Sequence, residues 1–292
     1  MMKTATSETG VLHATQQASE RRFEFGRNWS RFLELLSEER IATAAGSLKR
    51  MLEVETLEGQ SFLDIGSGSG LFSLAARRLG ARVHSFDCDP HSVECTAEVK
   101  RRYFRADPQW TVDNASALDE NYMRSLGAYD IVYSWGVLHH TGDMWRALDL
   151  ASIPVVAGGR LFIAIYNDLG SRTARWKRIK RTYNALPGLL TSPFTLVVIA
   201  PSELKSALRS ALSLRFGDYV NSWRRPSPQR GMSRWRDAID WVGGFPYEVA
   251  KPEEIFDYYR SRGFSLLRIK CGGVGIGCNE FVFVKDGGPL AR

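Results

Sequence analysis

The amino-acid sequence predicts an α/β fold in which a doubly wound, mostly parallel sheet of seven strands ends in an antiparallel hairpin. Between residues 61 and 168, short apolar runs typical of strands alternate with amphipathic runs typical of helices, which favours helices on both faces of a parallel sheet. The first apolar run ends in three closely spaced glycines, as expected where a strand turns into a helix beside a ligand. Near the carboxyl end, two strand-like runs are joined by the short loop CGGVGIGC and must therefore pair antiparallel.

The individual elements follow from hydrophobic periodicity and from turn residues. Residues 1–20 are small, polar and aperiodic and are expected to be disordered, whereas 23–54 has the three- and four-residue spacing of a helical cap. Strands are predicted at 61–65, 82–86, 110–113, 129–134, 160–166, 264–270 and 280–285, the fifth after a turn at Gly158 and Gly159. Helices are predicted at 71–79, 90–102, 143–151 and 252–262.

Composition limits the class of protein. The chain has 292 residues, of which 44% are hydrophobic and 24% charged, an ordinary balance for a globular protein. No secretory signal is visible at the amino end, and the longest apolar stretch, 189–200, is too short and too interrupted to span a bilayer. The cysteines show neither zinc-binding nor redox spacing, so we predict no metal site and reduced thiols in the cytoplasm. A disulfide between Cys271 and Cys278 is the alternative.

The stretch SFLDIGSGSGLF at 61–72 places Asp64 just ahead of Gly66, Gly68 and Gly70. Glycine permits a positive φ and lets a ligand lie against main-chain N–H groups. A dinucleotide-binding turn has the spacing G-x-G-x-x-G, whereas here a carboxylate, which would repel a pyrophosphate, precedes glycines at alternate positions. The pattern favours a ligand with a cationic amine near the turn, such as S-adenosylmethionine. A tight strand-to-helix connection without a ligand is the alternative.

Polar residues also end the next three strands, at the sheet edge where ligands bind in this kind of fold. Asp87 lies 17 residues after Gly70, where a carboxylate can accept hydrogen bonds from both hydroxyls of a ribose. Its competitor Asp89 precedes a proline and is better suited to cap the next helix. Ser116 follows the third strand, where an adenine amino group would be recognised. Further candidates for binding the cofactor are Ser67, Cys88, Ala117, Ser134, Trp135 and Gly136.

Five motifs along the chain occur in the order seen in one family. LDIGSGSG, FDCDP, NAS, YDIVYSWGVLHH and GGRLFIAIYN resemble those of class I S-adenosylmethionine-dependent methyltransferases, most of all the branch related to ubiquinone and menaquinone biosynthesis methylases. The resemblance implies a Rossmann-like methyltransferase fold with S-adenosylmethionine as cofactor. It assigns the methionine end to Asp64 and the three glycines, the ribose to Asp87 and the adenine edge to Ser116. Many relatives carry an acid where this chain has Ser116, which departs from the family's pattern.

The chemistry of such an enzyme needs few groups. The sulfonium methyl is already activated, and aligning it with a nucleophile supplies roughly 7–11 kcal/mol of the barrier. A base is needed only for an acceptor that is protonated at neutral pH. His139 and His140, which follow the fourth strand, are the candidates, with His139 preferred. Tyr166 and Asn167 follow the fifth strand and are candidates to orient the acceptor. All four also fit structural roles, as caps or turn residues.

The fourth-strand motif bears on the kind of acceptor. Methylases that act on the exocyclic amines of bases commonly carry an Asn or Asp, two prolines and an aromatic residue here, and SWGVLHH has none of that pattern. This favours methylation of an oxygen or a carbon of a small molecule.

Positive charge is concentrated between residues 169 and 250. This segment holds 14 Lys or Arg and 5 Asp or Glu, a charge of +9, whereas the whole chain carries +7, so an anionic partner is expected for it. On a helix over 171–181, Trp176, Ile179 and Tyr183 fall on one face and most of the cations on the other. Such a helix fits a solvated surface, a phosphate clamp, a membrane contact or a nucleic-acid patch. The cations are Arg172, Arg175, Lys177, Arg178, Lys180 and Arg181.

Aromatic residues alternate with arginines over 230–247, which suits a lid over a flat or anionic acceptor. We therefore expect four parts: a disordered tail and helical cap (1–60), a cofactor-binding core (61–168), a basic, aromatic-rich insertion that covers the acceptor (169–250), and a last helix and hairpin that complete the sheet (251–292). The leading hypothesis is a cytoplasmic methyltransferase for a small or lipid-linked acceptor, with a peripheral membrane contact through 171–200. An RNA methyltransferase and a non-catalytic cofactor-binding module are the alternatives, and the acceptor and oligomeric state stay open.

Overall fold

The computed structural model describes residues 36–213, 215–224, 234–272 and 277–287. The strands are β1 (Ser61–Ile65), β2 (Arg82–Asp87), β3 (Trp110–Asn114), β4 (Tyr129–Trp135), β5 (Val155–Tyr166), β6 (Phe264–Lys270) and β7 (Cys278–Lys285). The helices are α1 (Glu38–Leu52), α2 (Leu71–Arg78), α3 (Pro90–Tyr103), α4 (Glu120–Ser125), α5 (Met144–Ser152), α6 (Ser171–Ala185), α7 (Gly188–Leu212), α8 (Phe216–Arg224), α9 (Arg234–Gly243) and α10 (Pro252–Arg260).

The seven strands form one sheet in the order β3-β2-β1-β4-β5-β7-β6. The first five are parallel, and β7 runs antiparallel to both β5 and β6. The predicted fold class is confirmed. The strand order reverses between β1 and β4, and in doubly wound sheets the ligand binds beyond the carboxyl ends of the strands at this switch point.

Helices cover both faces of the sheet and build a core on each. On one face, apolar side chains of α1 and α2 such as Leu48 and Leu74 pack with Phe62 of β1. On the other, Leu148 of α5 and Tyr259 of α10 pack with Phe283 of β7. Full burial of each large apolar side chain contributes roughly 1.5–3 kcal/mol to the stability of the fold. The two cores therefore fix the position of the strands whose carboxyl ends form the ligand-binding edge.

Local signals place most element ends where the sequence predicts them. Asp89 caps α3, as expected, and accepts a hydrogen bond from the His91 N–H at 2.9 Å. The start of β5 differs, because the strand begins at Val155 and includes Gly158, which was predicted to lie in a turn. Gly158 has φ 74°, and the pairing of β4 with β5 shifts register between Tyr129 and Ile131. A glycine at a β-bulge resembles a turn in the sequence.

In the described part of the segment between β5 and α10 the chain forms helices α6 to α9. Among the described residues, no helix combines the length and the apolar character that crossing a membrane requires. None of the four cysteines takes part in a disulfide, so the alternative bond between Cys271 and Cys278 is not formed. Some expectations fall outside the described residues. These are the tail at 1–20, the cap before residue 36, part of the lid at 225–233 and the loop at 273–276.

Candidate active site

The glycine turn after β1 has a backbone that only glycine adopts readily. Gly66, Gly68 and Gly70 have φ values of 78°, 53° and 75°, in the left-handed region that is costly for other residues. Space is equally restrictive, because a Cβ on Gly66 would lie 2.5 Å from Val137 Cγ1 and a Cβ on Gly70 would lie 2.9 Å from Thr96 Cα. The turn therefore brings its main chain against two neighbouring segments.

Hydrogen bonds tie this turn to the end of β2. The N–H groups of Gly66 and Ser67 donate to the Phe86 carbonyl at 2.8 and 3.0 Å, and the Gly68 N–H donates to Asp87 Oδ2 at 3.0 Å. The Ser67 hydroxyl lies 2.9 Å from Thr96 Oγ1 of α3. The side chain of Ser67 thus serves packing against α3, while its main chain shapes the cradle.

Asp64 lies at the bottom of the cradle with only 2% of its surface exposed. Its Oδ2 accepts a hydrogen bond from the Ser73 hydroxyl, whose oxygen lies 2.7 Å from Ser85 Oγ. The Trp110 indole N–H completes this buried chain by donating to Ser85 Oγ at 2.9 Å. Burial raises the pKa of Asp64 to about 7, against the opposing effect of the Ser73 hydrogen bond, and the nearby charge of Asp87 raises it further.

Asp87 is the second acid of the cradle. Its Oδ1 accepts from the Asp89 N–H at 2.9 Å, in addition to the bond from Gly68. Burial raises its pKa above the ordinary value, although the hydrogen bonds from the main chain oppose the shift. Two acids whose ionised forms are disfavoured by burial therefore lie at one turn, where a cation would stabilise both of them.

The end of β3 is hydrogen-bonded to the end of β2, beside the same turn. The Ala115 N–H and the Asn114 side chain donate to the Asp87 carbonyl at 3.0 and 2.8 Å, which places the following residues beside the second acid. Ser116 Oγ accepts from the Leu118 N–H at 3.2 Å, so this hydroxyl shapes its own turn.

The remaining cofactor candidates differ in exposure. Ser134 is buried and donates to the Ile65 carbonyl at 3.0 Å, which locks β4 to β1. Ala117 is also buried, whereas Cys88 and Trp135 are exposed. Gly136 follows Trp135 with φ 76°.

The two candidate histidines lie in the short 3₁₀ turn Leu138–His140. His139 is 0% exposed, and its ring centre lies 4.0 Å from that of Tyr166 with the two planes tilted by 42°. Neither ring nitrogen makes a hydrogen bond of ordinary length and angle among the described residues, although the Ala164 carbonyl lies near enough to affect the ring's pKa. His140 Nδ1 lies 2.6 Å from the Pro246 carbonyl oxygen, to which it must donate. Burial lowers the pKa of His140 to about 4 and that of His139 well below its ordinary value. Both rings are therefore neutral at pH 7.

Tyr166 and Asn167 leave β5 in different environments. The half-buried Tyr166 ring lies within 5.4 Å of both His140 and Tyr247 and 6.1 Å from Trp241, measured between ring centroids. Asn167 Oδ1 instead accepts from the Asn279 side chain at 3.1 Å, which links β5 to β7. The structure thus brings Tyr166 together with the histidines and places Asn167 in a contact between strands.

Lys180 was not among the candidates from sequence, which counted it with the surface cations of its helix. It is only 1% exposed, and its ammonium donates to the Trp241 carbonyl and lies 5.2 and 5.0 Å from the ring centres of Trp241 and Tyr247. Burial lowers its pKa to about 7. Its spacing of four and three residues from Trp176 and Tyr183 was the signal that it belongs to the inward face of α6.

Glu248 was also not among the residues predicted from the sequence. Its carboxylate accepts from the N–H groups of Gly142 and Met144, each at 3.1 Å, and therefore caps the start of α5 from the end of the insertion. The Glu248 N–H donates in turn to the His139 carbonyl at 3.0 Å. These contacts join residues that are more than one hundred positions apart in the chain, so no local sequence pattern predicts them.

Comparisons with known proteins identify the family of the chain. Residues 27–199 match the family model described as a methyltransferase domain. A ubiquinone biosynthesis O-methyltransferase of Brucella ovis is 32% identical over 187 residues, which is 58% of this chain and 68% of that protein. A ribosomal protein L11 methyltransferase of Anoxybacillus flavithermus is 39% identical over 108 residues, but these are only 37% of this chain and 34% of that protein.

Solved structures are similar in fold at low sequence identity. The cyclase SpnF has a TM-score of 0.50 and 12% identity, and the match covers 85% of this chain and 81% of that one. Magnesium protoporphyrin IX methyltransferase of Synechocystis PCC 6803 has a TM-score of 0.49 and 14% identity over 96% of this chain and 95% of that one. Because fold alone does not fix activity, we assign the family from the sequence matches. By these matches the chain belongs to the S-adenosylmethionine-dependent methyltransferases.

Proposed function

We propose that the enzyme transfers the methyl group of S-adenosylmethionine to an oxygen of an aromatic acceptor that bears a negative charge and a lipid tail. The observation that carries the aromatic part is the cluster of rings beyond the cofactor cradle. His140, Tyr166 and Trp241 are half-buried there and Trp135 is exposed, at or near the carboxyl ends of β4 and β5. Flat rings stack on such surfaces.

The cradle fits this cofactor because the buried Asp64 and the half-buried Asp87 meet at a turn in which a side chain on Gly66 would clash. We assign Asp64 and the glycine turn to the methionine end and Asp87 to the ribose hydroxyls. Cys88, Ser116 and Ala117 would contact the adenine edge, and Ser134, Trp135 and Gly136 at the end of β4 would complete the cofactor site. For Ser67 and Ser134 the main chain is the contact, since both hydroxyls are engaged within the protein. When bound, S-adenosylmethionine supplies the activated methyl group.

The residues on the acceptor side orient the acceptor, and none of them is a base strong enough to remove a proton from it readily. Because His140 donates through Nδ1, its Nε2 is the unprotonated nitrogen of the neutral ring and can accept a hydrogen bond from an acceptor hydroxyl. A group with a pKa of about 4 is a weak base at neutral pH. His139 contacts Tyr166 from within the protein and holds that ring in place. This division favours an acceptor whose oxygen ionises readily, such as a phenol.

The lipid-linked part of the proposal is supported by α7, whose apolar residues lie on the surface. Leu189 and Val197 are 92% and 72% exposed, and the exposed cations of α6, among them Arg175 and Arg178, precede them in the chain. An apolar helix surface accompanied by cations suits an anionic bilayer. We therefore propose a peripheral membrane contact through α6 and α7, in the cytoplasm.

The proposal is tested with S-adenosylmethionine labelled in its methyl group. Phenol, 4-octylphenol and 4-octylaniline are offered with and without phosphatidylglycerol vesicles, and we expect most label on the 4-octylphenol oxygen when vesicles are present. Preference for the aniline would contradict oxygen as the acceptor. Equal labelling of phenol and 4-octylphenol would contradict the lipid tail. The RNA alternative is not favoured by the comparisons, and label that enters RNA instead of any phenol would restore it.

A further inference from the structure

The buried ammonium of Lys180 has little around it to offset its charge. Its partners are one carbonyl oxygen and two aromatic rings, and it forms no ion pair with any acid of the described residues. Asp240 in α9 raises its pKa slightly against the larger effect of burial, but lies outside ion-pair distance. A hydrogen bond and two ring contacts replace only part of the hydration that an ammonium loses on burial.

Other unsatisfied groups lie in the same cluster. Tyr247, whose ring faces Lys180, is buried, and neither its hydroxyl nor the ring nitrogens of His139 make a hydrogen bond of ordinary length and angle among the described residues. Thr173 lies near enough to lower the pKa of Tyr247, against the larger effect of burial, and the Ala164 carbonyl near enough to raise that of His139, also against burial. The Tyr166 ring connects them, at 5.4 Å from Tyr247 and 4.0 Å from His139. Buried polar groups are nearly always paired, so several unpaired ones in one cluster indicate a place that a ligand completes.

We propose that Lys180 determines which acceptors bind, because its ammonium, with the Tyr247 hydroxyl, pairs with an oxyanion of the acceptor. This deepens the proposed function and rests on it, since the acceptor is placed beside Tyr166. Trp241 is the half-buried ring over Lys180, and a shift of this side chain is the route by which an acceptor reaches the ammonium. An oxyanion so held needs no strong base, which agrees with the two neutral histidines.

The test uses two probes of the same shape that differ in charge, 4-butylbenzoate and 4-butylbenzamide. Their affinities for the full-length protein are measured by calorimetry at pH 6.5 with saturating S-adenosylhomocysteine. We expect the anion to bind at least tenfold more tightly than the amide. Lys180→Met, which keeps the apolar stem, should abolish this ratio, and Lys180→Arg should retain a preference for the anion.

Arg178→Met is the matched control, because it removes a cation from the exposed face of the same helix and should leave the ratio unchanged. Tyr247→Phe tests the hydroxyl separately and should weaken only benzoate. Unchanged affinity for S-adenosylmethionine shows that each variant is folded.

The proposal is overturned if wild type binds both probes equally or binds neither, or if Lys180→Met keeps the preference. This result is distinct from failure of the proposed function, because binding of the probes requires no methyl transfer and no lipid tail.

Discussion

The cofactor side and the acceptor side of the sheet edge satisfy their buried polar groups differently. On the cofactor side, Asp64 is hydrogen-bonded to Ser73 and the Ser134 hydroxyl to a main-chain carbonyl. On the acceptor side, polar atoms of His139 and Tyr247 make no hydrogen bond of ordinary geometry, and Lys180 has no ion pair among the described residues. The first region thus lacks a cation beside its two acids, whereas the second lacks hydrogen-bond partners and an anion, which an acceptor or a rearrangement can supply.

The largest effect is expected from closing the cradle with one methyl group. In Gly66→Ala the new Cβ would lie 2.5 Å from Val137 Cγ1 at a φ of 78°. Left-handed strain and overpacking together should lower the free energy of unfolding by about 2–5 kcal/mol, and binding of S-adenosylmethionine should be lost. Denaturant unfolding and calorimetry measure the two effects.

Gly158→Ala separates strain from crowding, since its φ is 74° but a Cβ there meets nothing within 4 Å. It should cost only about 1–2 kcal/mol and leave binding intact. Adding Val137→Ala to Gly66→Ala should recover part of the lost stability. If both glycine variants lose the same stability, the close approach of Val137 is not what requires Gly66.

The second effect concerns the acid assigned to the ribose. Asp87→Ala should weaken binding of S-adenosylmethionine by about 1.5–3 kcal/mol, the usual contribution of a hydrogen bond to a charged group, which is roughly tenfold to a hundredfold. Asp89→Ala is the matched control, because it removes the cap of α3 and should cost about 1 kcal/mol of stability with little change in affinity. Calorimetry that finds the two variants equally weak, or Asp87→Ala unchanged, would contradict the assignment.

A third prediction follows from the buried charge of Asp64. In the free protein its pKa is raised to about 7, and a cationic ligand favours the ionised form and so lowers this pKa. Binding below pH 7 should therefore release a proton, and affinity should rise with pH by up to about tenfold per unit, then level off above 7. Asp64→Asn should flatten the rise, as measured by calorimetry between pH 5 and 8. A wild-type affinity that falls over this range would exclude Asp64 as the partner of the cation.

The same contrast explains how far the sequence could be interpreted. The glycine turn and the Asp89 cap were predictable because each depends on residues within a few positions of it, whereas the role of Asp87 at the ribose stays a prediction. Lys180 was missed because a lysine in a basic helix is usually solvated, although its spacing from Trp176 placed it on the inward face. The contact of Glu248 with the start of α5 joins segments distant in sequence, and such contacts leave no local pattern. The cofactor side is built from local motifs, and the acceptor side from long-range packing.

The smallest effect tests whether His139 is retained for stability or for function. His139→Phe keeps a flat ring against Tyr166 and removes two buried nitrogens that make no hydrogen bond of ordinary length and angle among the described residues. Replacing such a group with an apolar one of similar shape is neutral or stabilising, so the free energy of unfolding should stay equal or rise by up to about 1 kcal/mol. Transfer of labelled methyl to 4-octylphenol should fall at the same time, because the ring nitrogens of His139 belong to the cluster of polar groups that the acceptor is proposed to complete. A variant that loses stability would show that the imidazole has a structural partner, whereas one that keeps full activity would remove His139 from the acceptor side altogether. A gain in stability with a loss of transfer is the combination expected of a polar group that is kept for its ligand.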